Sequence, residues 1–153
     1  MFDSQACDAR FSKCCGGVTE QYQTAWGDKT VPYLVALPDA PSSNNSPPTL
    51  TDEHSVRAFI QGPPKAYCNC RDGSILERVL NDYDLKTVDF FRWQVPLKAV
   101  DASRLVAEKL GIDLGRIVAI TPLERGPSGR LKRLRLTGES GSLIIGKELE
   151  IRR

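Results

Sequence analysis

The sequence predicts an α+β fold in which antiparallel β-strands carry at least two packed helices. Three observations lead there. Asp101–Leu110 has helical spacing and is followed by glycine, where a helix would stop. Three short β-type runs come next, joined by the turn sequences Gly126-Pro127-Ser128-Gly129 and Gly138-Glu139-Ser140-Gly141. A second helical spacing runs from Ser74 to Tyr83.

The elements follow in chain order. Cys7 to Thr19 predicts a short strand running into the Gly16-Gly17 turn, with Phe11 and Val18 as isolated apolar anchors. Val31 to Leu37 is a short apolar run of β-formers and predicts a buried strand, with Pro32 at its start. From 38 to 52 the composition turns to Pro, Ser, Asn and Thr, which predicts a flexible insertion loop inside one domain spanning 1–153. Ile75, Leu76, Val79, Leu80 and Tyr83 share a helical face, with Asp72 or Ser74 as cap. Val88 to Val95, holding Phe90, Phe91 and Trp93, reads as a strand closed by Pro96. In the next helix Asp101 is the expected N-cap, and Ala102, Leu105, Val106 and Leu110 share one face. The strands are expected at Arg116–Leu123, Arg130–Thr137 and Ser142–Ile145. In the second, Leu134 and Leu136 alternate with Arg133 and Arg135, one face buried and one wet.

A chain of 153 residues, 41% apolar and 26% charged, is long and apolar enough for one domain with a real core. No run of about 18 apolar residues is present, so no segment is expected to span a membrane. Met1–Gln5 lacks the basic-then-apolar pattern of a signal peptide. The net charge of +2 does not call for a polyanionic partner. From Arg116 onward nine Lys/Arg face four Asp/Glu, a strip that reads first as a solvated strand face.

Residues that could carry chemistry are scattered. The five cysteines, Cys7, Cys14, Cys15, Cys68 and Cys70, leave at least one thiol outside any intramolecular disulfide. Adjacent Cys14 and Cys15 are poorly placed to bond each other, and several cross-pairings stay open. A zinc site could draw on Cys14, Cys15, Cys68, Cys70 and His54, but adjacent and one-apart spacings make poor knuckles. His54, the only histidine, has no nucleophile placed against it and reads as an exposed loop residue. Glu20, Asp28, Glu77, Asp82, Asp84 and Asp89 are candidate carboxylates for a glycosidase, none with a sequence signature. Arg125-Gly126-Pro127-Ser128-Gly129-Arg130 lacks the ending of a phosphate-binding loop and reads as a hairpin turn flanked by two arginines.

In order along the chain stand Cys15-Gly16-Gly17-Val18-Thr19-Glu20, Ala25-Trp26-Gly27, Pro32-Tyr33-Leu34, Phe90-Phe91-Arg92-Trp93, Leu110-Gly111-Ile112, then Leu123-Glu124-Arg125-Gly126-Pro127-Ser128-Gly129-Arg130-Leu131-Lys132-Arg133-Leu134 and Gly141-Ser142-Leu143. This series resembles the stage II sporulation protein D family, SpoIID/LytB, across nearly the whole chain. Ser12 stands where the family often has histidine before the Gly-Gly. The resemblance implies a SpoIID-like domain fragment from a peptidoglycan lytic transglycosylase. Such an enzyme cleaves MurNAc-GlcNAc bonds in denuded glycan strands: a carboxyl protonates the leaving oxygen, and the MurNAc 6-hydroxyl closes a 1,6-anhydro end. The family's catalytic glutamate is expected upstream of these residues and a Gly-His-Gly-rich segment downstream, so no residue here matches the acid and the chain alone is expected to be inactive.

On that resemblance Gly16, Gly17 and Thr19 would let sugar approach the backbone, and Trp26 and Tyr33 would stack on it or else pack the core. The partner implied is peptidoglycan glycan strands and the location of the whole protein extracytoplasmic, with no cofactor and no nucleic acid expected. Two other readings stand beside it: a non-catalytic glycan-binding module and, a distant third, a nucleic-acid-binding protein using the basic C-terminal strands.

Overall fold

A computed structural model describes residues 1–41, 48–87 and 89–152 of the chain. Five helices, Tyr22–Ala25 (α1), Glu53–Gln61 (α2), Gly73–Val79 (α3), Ala99–Leu110 (α4) and Glu148–Arg152 (α5), accompany three strands, Ile117–Arg125 (β1), Leu131–Gly138 (β2) and Gly141–Ile145 (β3). The fold is α+β. The sheet is antiparallel throughout, in the order β1-β2-β3.

The meander forms where the turn residues place it. Gly126 N donates to Arg130 O and Gly129 N to Gly126 O, both at 2.9 Å, closing the β1–β2 turn with Gly129 at φ 83°. Pro122 is accommodated because β1 lies at the sheet edge, with register shifts beside it. Leu134 and Leu136 of the central strand are buried, whereas Arg133 and Arg135 face solvent, as the alternation predicts. Leu114 and Ile117 join the two leucines to form one core, covered by Val106 and Leu110 of α4 and Ile151 of α5.

Helix α4 starts at Ala99, not at Asp101; the extended cap residue is Lys98, and Asp101 lies in the first turn, where its charge complements the helix N-terminus. Gly111 closes the helix at φ 66° in the left-handed region, as expected. Ser103 ties the helix to the sheet: its hydroxyl donates to Ala99 O and accepts from Ile117 N, each at 2.9 Å. Helix α3 is capped by Asp72, which accepts from Ser74 N. It stops at Val79, so the expected continuation to Tyr83 is lost; Leu80 is already extended, and Val79 and Tyr83 are exposed.

A second core gathers Val18, Leu50 and Val56. Val56 belongs to α2, a helix absent from the sequence-based expectation. His54 is therefore a helical residue, although an exposed one. Three expected strands are replaced by other conformations. Cys7–Thr19 is irregular up to an isolated bridge between Val18 and Pro38, and Phe11 is exposed rather than an anchor. Val31–Leu37 runs beside that segment but is held by single bonds, among them Thr19 N to Leu37 O at 2.8 Å; Val31 is buried, while Val35 and Leu37 are exposed. Phe90–Val95 forms no strand and pairs with no other segment among the described residues; the Phe91 carbonyl accepts from the Arg92 side chain at 2.9 Å. Val88 and the 42–47 part of the expected 38–52 loop lie outside the described residues.

Candidate functional site

The segments singled out in the sequence meet around one arginine. Arg130 follows the β1–β2 turn. It donates to Cys15 O at 2.6 Å, to Val18 O at 3.2 Å and to Ser128 Oγ at 2.6 Å. Ser128 Oγ in turn donates to Glu20 Oε2 at 2.5 Å. The guanidinium fork thus holds both sides of the Gly16-Gly17 turn, and the buried Ser128 hydroxyl bridges it to the Glu20 carboxylate. Gly126 is required at this junction: a Cβ there would stand 2.5 Å from Glu20 Oε2 and would run into Thr24 of α1.

Arg92 grips the same turn, and a Cβ at Gly16 would meet both guanidinium groups, Arg92 at 3.4 Å and Arg130 at 3.9 Å. Arg92 donates to Gly16 O at 3.1 Å and to Phe59 O at 3.3 Å, with its guanidinium over the rings of Phe59 and Phe91. Burial lowers its pKa, the Cys14 and Cys68 thiols oppose that shift, and its Nε has no hydrogen-bond partner among the described residues.

Two clefts flank this arrangement and share Cys14, Cys15 and Arg130 as a wall. One, of about 310 Å³, is lined by Thr19, Glu20, Trp26 and Tyr33, with Arg10 and with Glu148 of α5. Trp26 stacks on Tyr22 at 5.6 Å between ring centroids, and Arg10 lies over both rings at 5.4 and 5.7 Å. The spacing from 22 to 26 is one helical turn, which is why α1 presents the two rings together. Tyr33 packs on Phe2 at 5.2 Å, and its hydroxyl accepts from Asp8 N at 2.9 Å. Thr19, Trp26 and Tyr33 therefore share one cleft. The Thr19 hydroxyl is engaged, donating to Val35 O at 2.9 Å and accepting from Leu37 N at 2.8 Å. Gly16 lies on the second cleft, of about 280 Å³, beside Arg92 and Trp93. Gly17 is buried and turned toward Pro64 and Phe59.

Of the six carboxylates considered from sequence, Glu20 alone lines the cleft with Trp26 and Tyr33. Asp28 pairs with Lys147, which holds its carboxyl below the ordinary value. Asp84 pairs with Lys13 at 3.4 Å, and Glu77, Asp82 and Asp89 are exposed. Glu20 accepts a second bond at Oε1 from Gln21 N at 2.8 Å. Glu148, the other carboxylate of the cleft, pairs with Arg152 at 2.9 Å.

The cysteines sort differently from their sequence spacing. Cys15 Sγ and Cys68 Sγ stand 3.5 Å apart, and with Asp39 they form a group whose donor atoms lie within 4.8 Å of one another. Burial pushes both thiols above their ordinary pKa. Cys14, Cys70 and His54 are outside that group, and Asp39 was not foreseen. Glu53, the partner of Arg125, was also not foreseen: Arg125 donates to Glu53 Oε1 at 2.5 Å and Oε2 at 3.0 Å, fastening α2 to the end of β1. The Arg125–Arg130 segment held the only sequence hint, a turn bracketed by two arginines.

Comparison with curated proteins and with solved structures finds no match. Residues 20–153 match the family described as a domain of unknown function (DUF8618). That match covers most of the chain, from Glu20 through the hairpin and α5, and the chain belongs to the DUF8618 family.

Proposed function

We propose that this chain is a glycan-binding part of a peptidoglycan lytic transglycosylase of the SpoIID/LytB type, acting outside the cytoplasm on denuded glycan strands. One observation carries the reading. Arg130 and Ser128 of the hairpin join Cys15, Val18 and Glu20 of the Gly-Gly turn, more than 100 residues earlier in the chain. These are two of the segments on which the resemblance rests, and their junction borders a cleft carrying Trp26 and Tyr33. A pyranose ring offers an apolar face to an aromatic ring and hydroxyls to charged groups at its rim, and Trp26, Tyr33 and Arg10 of the cleft supply both kinds of partner.

Binding without cleavage is the second reading, and one observation favours it for this chain by itself. Both carboxylates of the cleft are engaged, Glu20 by Ser128 and Gln21 and Glu148 by Arg152, so neither is placed as a proton donor to a leaving oxygen. The test incubates the purified chain with denuded glycan strands and, separately, with strands that retain stem peptides. Co-sedimentation with denuded strands without release of 1,6-anhydro ends is expected. Release of anhydro ends would place a working acid within this chain, and absence of binding at about 1 mM glycan would end the proposal.

A further inference from the structure

We propose that Cys15 and Cys68 form a site of oxidative modification: a disulfide that closes the Gly16-Gly17 turn onto the 3-10 turn at Tyr67–Asn69. The proposal concerns these thiols alone and stands whether or not the chain binds glycan. From sequence, several pairings of the five cysteines stay open. Position now separates them. Cys7 is exposed in the N-terminal segment. Cys14 Sγ accepts from Gly16 N at 3.4 Å and meets the carbonyl oxygen of Cys68 at 3.9 Å, not its sulfur. Cys70 lines a cleft on another side with Asn69 and Arg71.

The approach of Cys15 to Cys68 is fixed by the backbone around it. Asp39 N donates to Gly17 O at 2.9 Å, and Asp39 O accepts from Tyr67 N at 2.9 Å. Asp39 Oδ2 accepts from Cys68 N at 2.8 Å. Asp39 is therefore a clasp between the two turns, and the sulfurs face each other across it. The sulfurs stand 3.5 Å apart and a disulfide bond is about 2.05 Å, so oxidation draws the two side chains together.

The same three side chains could be read as a metal site, but the donor set fits less well. It offers three ligands where structural zinc takes four. Burial favours the protonated thiols, against which a metal must compete.

The chemistry balances with a small disulfide as oxidant. One thiol gives its proton to solvent, and the thiolate attacks a sulfur of oxidised glutathione, releasing one glutathione thiolate. The second cysteine, deprotonated in turn, attacks the mixed disulfide at the protein sulfur and releases the second glutathione. Two protein thiols are oxidised and one glutathione disulfide is reduced.

The experiment treats the full chain with oxidised glutathione, then alkylates, digests with trypsin and reads the masses. Cleavage after Lys13, Lys29, Lys65 and Arg71 is expected to join the peptide 14–29 to the peptide 66–71. Cys14→Ser and Cys70→Ser should keep the cross-link, and Cys15→Ser and Cys68→Ser should lose it. The oxidised wild type should melt roughly 10 °C above the reduced form, since the bond closes a loop of about 50 residues; Cys15→Ser should show no redox-dependent shift. A cross-link that survives Cys15→Ser would overturn the proposal. So would five thiols still free after excess oxidant, or one equivalent of zinc that protects both sulfurs from oxidation.

Discussion

The Arg130 guanidinium reaches Cys15 O at 2.6 Å across 115 residues of sequence, and so joins the hairpin of the sheet to the irregular N-terminal third. Lys147 makes a second tie between the same regions, donating to Gln23 O at 2.9 Å. Replacing Arg130 by Lys keeps the charge but supplies one ammonium where a planar fork serves Cys15 O, Val18 O and Ser128 Oγ. Arg130→Lys is expected to cost about 2 kcal/mol in urea-induced unfolding, with an unchanged slope. A loss below about 0.5 kcal/mol would show that the junction is not a structural tie.

Gly126 and Gly73 make a contrasting pair. A Cβ at Gly126 collides with Glu20 and Thr24, whereas one at Gly73, the first residue of α3, meets nothing within 4 Å. Gly126→Ala is expected to destabilise by about 2–3 kcal/mol. Gly73→Ala is expected to stabilise by about 0.5 kcal/mol through the unfolded chain. Thermal melts of both variants check the sign at each position.

Acid should loosen the tie between α2 and the sheet. The hydrogen bond from Arg125 holds the Glu53 carboxyl below its ordinary value, and Ser55 does the same for Asp52 at the helix cap. A carboxyl depressed in the folded state stabilises above its unfolded pKa of about 4, and that contribution fades as pH falls through the lower folded value. Glu53→Gln should therefore weaken the fold at neutral pH by on the order of 0.5 kcal/mol, a small figure because the carboxylate is largely exposed. Its stability should then fall less steeply than that of the wild type below about pH 4. Equal slopes for the two proteins would remove Glu53 from the acid response.

Thiol reactivity should follow burial. Burial pushes Cys15 and Cys68 above the ordinary thiol value, and Cys7 is exposed. In the reduced protein at about pH 8, iodoacetamide should modify Cys7 at least tenfold faster than either half-buried thiol. Peptide mapping over time reads the order, and equal rates would place all three in similar surroundings.

How much of this could be read from sequence varied along the chain. The C-terminal third was legible because its signals are local: Gly111 ends α4, glycine turns join the strands, and Leu134 and Leu136 alternate with arginines over a single buried face. Helix α2 was missed although Asp52 caps it and Val56, Phe59 and Ile60 have helical spacing, because the Pro/Ser/Asn-rich stretch runs right up to the cap. The strands expected at Val31–Leu37 and Val88–Val95 failed for a different reason. β-propensity marks what fits a pleated surface, but a strand needs a neighbour; Val35 and Leu37 are tied to the Thr19 side chain, and Arg92 reaches away to Gly16 O and Phe59 O. The order of the Cys15–Glu20 and Arg125–Arg130 segments was visible. That Arg130 and Ser128 would join them was not, since a contact over more than 100 residues leaves no local pattern. The Cys15–Asp39–Cys68 group was hidden in the same way.

The most direct measurement is the binding of denuded glycan strands to the wild type and to Trp26→Ala, followed by calorimetry, with circular dichroism to check that the variant is folded. Trp26 forms the aromatic wall of the cleft beside Tyr22 and Arg10, so its removal should weaken binding at least tenfold while the melt stays close to that of the wild type. Wild-type affinity retained by a folded Trp26→Ala, or no heat of binding with the wild type at about 1 mM glycan, would contradict the assignment of this cleft to glycan.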